Sequence, residues 1–233
     1  MIHFHIITLF PDSIKPYLAS SIIGRARENK KIKVSFYNPK DFTREKFGRV
    51  DRRPYGGGPG MVLEPDAILR AAQKASASWR RKKRRIDTIF FSTDGEQFSG
   101  AMAQKLAKKK DVALICGHYE GVDERVRKIL KAKKVSVGPY ILTGGELPAV
   151  TMIDAISRFV PGVLGKSESL ETSRVASPEV YTRPEILIWK GKKYRVPKVL
   201  LTGHHAKIEE WKNARRSAYA KRNNLEATSL SCI

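Results

Sequence analysis

Val112-Ala113-Leu114-Ile115-Cys116-Gly117-His118-Tyr119-Glu120-Gly121 decides the fold class. A short apolar run bounded by glycine reads as a strand. It runs straight into Gly117, and glycine at the carboxyl end of a strand lets a ligand approach bare backbone. That is the usual binding place in open α/β sheets. Outward from this segment, apolar runs alternate with helix-like stretches. Residues 2–9 read as a first strand, and Pro11-Asp12 opens a helix towards Asn29. Residues 32–37 read as a second strand, and 41–60 as a loop with four glycines near its end. Pro65-Asp66 opens a helix that ends in the basic run 80–85. Residues 88–92 form a strand, 100–110 a helix, 123–129 a short helix, 134–137 a short strand, and 144–159 a loop feeding a helix. Such alternation predicts an α/β fold with a mainly parallel sheet and helices on its faces.

After Pro161-Gly162 the character changes. Residues 165–180 are polar and aperiodic and read as a linker. Beyond them come a short strand signal at 186–189, a turn at Gly191 and two basic helical stretches. Residues 201–211 read as amphipathic, and the tail after Arg216 is polar. The division is therefore 1–164, a linker at 165–180, and a small C-terminal domain at 181–233.

The 233 residues carry 45 Lys and Arg against 23 Asp and Glu, a formal charge of +22. A solvated surface needs no such imbalance, and self-repulsion opposes it. A polyanion, nucleic acid first, is the economical partner. Hydrophobic residues make up 41% of the chain, enough to fill a core. No apolar run is long enough to span a bilayer. The N-terminus lacks the basic start of a secretion signal. Only Cys116 and Cys232 occur, so neither a disulfide framework nor a thiolate zinc site is expected, and a cytoplasmic location is.

Three motifs suggest chemistry. Asp51-Arg52-Arg53-Pro54-Tyr55-Gly56-Gly57-Gly58-Pro59-Gly60 places two arginines and a tyrosine beside bare backbone. These suit an RNA phosphate and a stacked base. No Gly-Lys-Ser/Thr follows, so this is not a Walker loop. The second motif is the Gly117–Gly121 loop, and the third is Val137-Gly138-Pro139-Tyr140-Ile141-Leu142-Thr143-Gly144-Gly145-Glu146-Leu147-Pro148. Two glycine-bearing loops after two strands can wrap one small ligand, although two unrelated turns would look similar. There is no GxGxxG, which argues against a dinucleotide. The pairs His204-His205 and His3/His5 lack carboxylate or thiolate partners at ligand spacing, so no metal site is expected.

DRRPYGGGPGM, CGHYEGVDERV, VGPYILTGGELPA, DAISRFVPGVLG, YTRPE and VPKVLLTGHHAKIEEW occur in that order. Together they resemble the bacterial tRNA (guanine-N1)-methyltransferase family of the SPOUT superfamily, from about Ile2 to Trp211. The resemblance implies a catalytic domain whose C-terminal part forms a trefoil knot around S-adenosylmethionine. It also implies a small helical tRNA-binding domain and a homodimer with each active site built from both chains. The implied reaction is methylation of N1 of the guanosine immediately 3′ of the anticodon. By motif, the cofactor pocket should comprise Phe91, Ser92, Gly117, Tyr119, Glu120, Gly121, Val137, Gly138, Pro139, Tyr140, Ile141, Leu142, Gly144 and Gly145. Arg158 matches the arginine placed near guanine O6. Contacts to RNA are expected from Arg52, Arg53, Tyr55, Gly57, Gly58, Lys207, Lys212 and Arg215.

The chain departs from the family pattern in several places. Pro139 stands where the family usually has Asp, and His204 where it usually has Asn. The tail after Arg216 matches poorly. The family linker supplies an aspartate as general base, whereas this shorter linker offers only Glu168, Glu171 and Glu179. Glu171 lies nearest the expected place and is the candidate base. The alternatives are a SPOUT-type methyltransferase acting on another RNA guanosine, and a catalytically inactive RNA-binding relative.

Overall fold

The structure is a computed structural model that describes residues 1–80, 86–164 and 179–222. The chain divides into two compact units, Met1–Gly165 and Lys166–Ile233.

In chain order the first unit comprises β1 (Ile2–Ile7), α1 (Lys15–Leu18), α2 (Ser21–Glu28), β2 (Ile32–Tyr37), β3 (Asp51–Arg52), β4 (Val62–Leu63), α3 (Pro65–Arg80), β5 (Asp87–Gln97), α4 (Gly100–Ala107), β6 (Asp111–Ile115), α5 (Glu124–Leu130), β7 (Lys133–Ser136) and α6 (Glu146–Arg158). Five strands form one sheet in the order β2-β1-β6-β5-β7, with every pairing parallel. Strand alternation divides β1 between two cores. Ile2, Phe4 and Ile6 pack with Ala149, Met152, Ile153 and Ile156 of α6 and with Ala103 and Leu106 of α4. Ile7 packs on the other side with Ala67, Ile68, Ala71 and Ala72 of α3 and Val126 of α5. The sheet is thus covered on both faces, as parallel sheets require. The buried positions of α6 recur at helical spacing, and each large side chain there contributes about 1.5–3 kcal/mol on burial. Pro148 stands in the first turn of α6, where its missing N–H has no intrahelical acceptor.

Several boundaries differ from expectation. The single helix read over 11–29 is a 3-10 turn (Pro11–Ser13) followed by α1 and α2. Ser21 has φ +51°, and the chain changes direction there. A straight helix carrying Ile14 and Leu18 on one face would turn Ile23 away; the break brings all three into the same core. Gly24 permits it, since a Cβ there would stand 2.4 Å from the Ala19 carbonyl oxygen. The strand read at 88–92 continues to Gln97, but not smoothly. Phe91 and Glu96 both pair with Val135, so residues 92–95 leave the sheet and return. The loop read over 41–60 also contains β3, which pairs with β4.

In the second unit, β8 (Ile186–Trp189) and β9 (Lys192–Arg195) form an antiparallel hairpin. Its two-residue turn has φ +47° at Lys190 and +75° at Gly191, the positive pair that a tight hairpin with twisted strands needs. Residues 201–211 are not one helix. A 3-10 turn (Lys198–Leu201) stops before Gly203, at φ +68°, and α7 (His205–Arg222) starts beyond it.

Candidate active site

β1 and β6 are neighbours whose following connections depart in opposite directions, to β2 at one edge and across β5 to β7 at the other. Such a reversal opens a crevice at the carboxyl ends of the strands. A cavity of about 370 Å3 lies there, bounded by the ends of β5, β6 and β7 and by the loops that leave them. That volume falls within the ~300–1,000 Å3 of small-ligand sites.

Three backbone features shape it. At the floor, Gly145 N–H donates to Gly117 O at 2.9 Å, and a Cβ on Gly145 would stand 2.5 Å from Cys116 Cα. The loop after β7 therefore lies directly on the end of β6. At the second wall, Ser136 Oγ donates to Gly138 O at 2.9 Å and accepts from Gly138 N–H at 3.2 Å. The ring of Tyr140 folds over Gly138, where a Cβ would be 2.1 Å from it. At the third, Asp94 accepts from Ser92 Oγ and, at 2.7 Å, from Lys134 Nζ. These two bonds hold the β5 excursion beside β7 and keep the Asp94 carboxyl below its ordinary pKa, Lys134 contributing most.

Buried side chains brace the floor. Glu146, the first residue of α6, is 6% exposed. Its Oε1 accepts from Thr8 Oγ1 at 2.5 Å, and its Oε2 is 2.9 Å from His118 Nε2. Thr8 Oγ1 also accepts from Phe10 N–H at 2.9 Å, and the Phe10 ring stacks obliquely on His118 at 4.6 Å. The loop after β1, the loop after β6 and the start of α6 are thus one network. Burial, and secondarily the Glu146 carboxylate, push the Cys116 thiol well above its ordinary pKa, so it is an inert packing group.

The arginine- and glycine-rich loop is stitched to this wall. Glu120 N–H donates to Met61 O, Leu63 N–H to Gly121 O, and Asp123 N–H to Leu63 O, each at 3.0 Å. The glycines at 56, 57 and 58 all have positive φ (86°, 80° and 110°) with nothing within 4 Å of an added Cβ. They are needed for backbone conformation and leave the strand of loop open to solvent. Tyr55 is fully exposed, and Arg53 is exposed.

The residues expected at the pocket converge with one exception. Phe91, Ser92, Gly117, Tyr119, Glu120, Gly121, Val137, Gly138, Tyr140, Ile141, Leu142, Gly144 and Gly145 all line the cavity, and Pro139 does not. Phe90, Thr93, Lys134, Ser136, Thr143 and Pro148 line it in addition. His118 reads from sequence as an ordinary polar loop residue, and Thr8 carries no signal at all. Glu146 was visible only as part of the TGGELP motif. Arg158 is half-buried at the end of α6 and does not line the cavity. Glu168 and Glu171 lie outside the described residues. Glu179 accepts from Tyr181 OH at 3.1 Å and pairs with Arg215 at 3.5 Å. Arg52 is held between Glu45 at 2.7 Å and Glu64 at 3.0 Å, so its guanidinium braces the loop. Lys207, Lys212 and Arg215 all lie on α7, with Arg215 stacked 5.5 Å over Trp211. His3 and His5, read from sequence as lacking a carboxylate partner, do have one beside them. Asp111, from β6, supplies the carboxylate that sequence spacing could not reveal.

A three-layer α/β protein with its pocket at a strand-order reversal, floored by close-packed glycines, is of the open-sheet class that presents a small-molecule crevice at the carboxyl ends of its strands. The chain belongs to the family described as tRNA (Guanine-1)-methyltransferase TrmD, whose model matches residues 2–228. Relatives named tRNA (guanine-N(1)-)-methyltransferase include one from Dictyoglomus turgidum, 40% identical over 99% of this chain and 93% of its own. Another, from Caldanaerobacter subterraneus subsp. tengcongensis, is 42% identical over 97% of this chain and 88% of its own. A third, from Lachnoclostridium phytofermentans, is 37% identical over 96% and 90%. The protein is an enzyme of this methyltransferase family. Among the described residues no helix is long and apolar enough to cross a membrane.

Proposed function

We propose that the protein transfers the methyl group of S-adenosylmethionine to N1 of the guanosine immediately 3′ of the anticodon in tRNA, as a cytoplasmic homodimer. The observation that carries this reading is the convergence of three strand ends on one glycine-floored cavity in a chain of this family. Gly144 and Gly145, where a Cβ would meet His118, Glu146 and Cys116, let the loop after β7 lie close on the end of β6 and so shape the cavity for a small ligand. When bound, S-adenosylmethionine supplies a methyl group already activated by its sulfonium, so positioning is much of the catalytic task. In this reading the loops 117–121 and 137–145 hold the cofactor, and the 92–95 excursion belongs to a trefoil knot. Neutral guanine carries a proton on N1, which a carboxylate must accept; Glu171 is assigned that role. Negative charge then grows on O6, and the Arg158 guanidinium stabilises it.

Two observations support the dimer. Arg158 does not line its own chain's cavity, which is the arrangement expected if each site draws on both chains. Ile141 and Leu147 are 89% and 61% exposed beside the cavity, apolar surface that a partner would cover. The loop bearing Arg53, Tyr55, Gly57 and Gly58 and the cations of α7 are assigned to RNA, in keeping with the charge of +22.

The test is incubation of purified protein with methyl-labelled S-adenosylmethionine and total tRNA, followed by mapping of the labelled base. N1-methylguanosine immediately 3′ of the anticodon is expected. Label at another guanosine would correct the substrate, and no incorporation would overturn the reading.

A further inference from the structure

At the end of the sheet opposite the cavity, β1 alternation places His3 and His5 on one face. The β1–β6 register sets His3 against Asp111, the first residue of β6. Asp111 Oδ1 is 3.2 Å from His5 Nε2 and 3.8 Å from His3 Nδ1. One ligand atom from each residue lies within 4.8 Å of the other two, and this is the one such group of His, Cys, Asp and Glu among the described residues.

We propose that His3, His5 and Asp111 form a binding site for a borderline divalent transition-metal ion such as Zn2+. A tetrahedral ion with nitrogen and oxygen ligands at 2.0–2.2 Å separates those ligands by roughly 3.4 Å. The two separations from Asp111 bracket that value and the two histidine nitrogens lie within 4.8 Å of each other, so an ion would draw the three ligand atoms together by side-chain movement alone. The outer ring nitrogens are also held. His5 Nδ1 is 3.1 Å from Tyr37 OH, and His3 Nε2 is 2.8 Å from Ser35 Oγ. With an ion on the inner nitrogens, the outer N–H groups donate to those hydroxyl oxygens, the supporting arrangement that orients histidine ligands. Both hydroxyls come from β2, so the ion would tie β2, β1 and β6 together. His5 is buried, while His3 retains 17% side-chain exposure, which leaves an approach and a place for water as the fourth ligand.

Both imidazoles are shifted towards the neutral form that a metal ligand needs, against the opposing pull of Asp111. Burial, His5 and Lys33 lower the His3 pKa to about 4, and burial is the largest influence lowering His5. Lys33 opposes a second positive charge, which places the affinity below that of four-ligand structural zinc sites.

The experiment uses tag-free, chelator-stripped protein carrying His204→Ala and His205→Ala, which removes the other histidine pair. Titration with Co2+ should give visible absorption of a tetrahedral ion at one equivalent per chain, and Zn2+ should displace it. Zn2+ should raise Tm, because it binds only the folded state. His3→Gln and Asp111→Asn should each weaken binding by at least about tenfold, with far-UV circular dichroism confirming the fold. If Asp111→Asn does not fold, the more peripheral His3→Gln carries the comparison. Absence of a Co2+ spectrum up to millimolar metal would overturn the proposal. So would one-equivalent binding that survives His3→Gln unchanged.

Discussion

Thr8→Val tests whether the floor of the cavity is braced as described. The substitution keeps the shape of the side chain and deletes one oxygen. That oxygen donates to Glu146 Oε1 at 2.5 Å and accepts from Phe10 N–H at 2.9 Å. Glu146 is 6% exposed and Thr8 is fully buried, so water cannot readily replace either bond. A hydrogen bond to a carboxylate is worth about 1.5–3 kcal/mol and a neutral one about 0.5–1.5. The expected loss is therefore about 2–4.5 kcal/mol. At about 2–4 °C per kcal/mol for a chain of this size, Tm should fall by roughly 4–18 °C. Urea denaturation of the wild type, Thr8→Val, Glu146→Gln and the double variant closes a cycle. The coupling between the two positions should lie at about 0.5–3 kcal/mol, as for residues in one network. A Thr8→Val loss below about 0.5 kcal/mol would refute the reasoning, since the buried carboxylate would then not depend on that hydroxyl.

Gly145→Ala places a Cβ against the backbone of Cys116 and Gly117, which cannot yield as a side chain can. A loss of about 1–3 kcal/mol is expected, with calorimetry showing S-adenosylmethionine binding weakened by about tenfold or more; unchanged affinity would remove the close-packed floor from the argument. Arg158→Ala should lower kcat by about 10²–10³ while leaving cofactor affinity near normal, as loss of a group acting only on developing charge does; single-turnover assays with saturating tRNA check it. In metal-free protein, stability should fall as pH drops from about 6.5 to about 4. Over that window the unfolded chain takes up a proton on His3 that the folded chain refuses, because burial, His5 and Lys33 together outweigh the opposing pull of Asp111. The full effect is at most roughly 3 kcal/mol, solvent contact reduces it, and His3→Gln should flatten the urea midpoint against pH.

The alternation of strands and helices was legible because it rests on local pattern. Both sheet faces are buried, so each strand is a short apolar run, and α3 and α6 show their buried stripes at helical spacing. The turn at Gly191 was equally plain, since a backbone position with positive φ selects glycine wherever it lies. The break between α1 and α2 was not visible. Pro16 marks a helix start within 11–29, but no proline follows it before Asn29; the core that Ile14, Leu18 and Ile23 share is what bends the chain there.

The sequence by itself determined the α/β class, the strand-end glycines and the ordered motifs that mark the family. Only the tertiary structure decided which loops meet. Parallel pairing brings β5, β6 and β7 together although a helix or loop separates each from the next, and strand order is a global property that no local pattern encodes. For the same reason Thr8 meets Glu146 from 138 positions away, and His5 meets Asp111 from 106. Hydrogen-bond partners at such separation are chosen by register and packing, so their chemistry becomes readable only once the sheet is assembled.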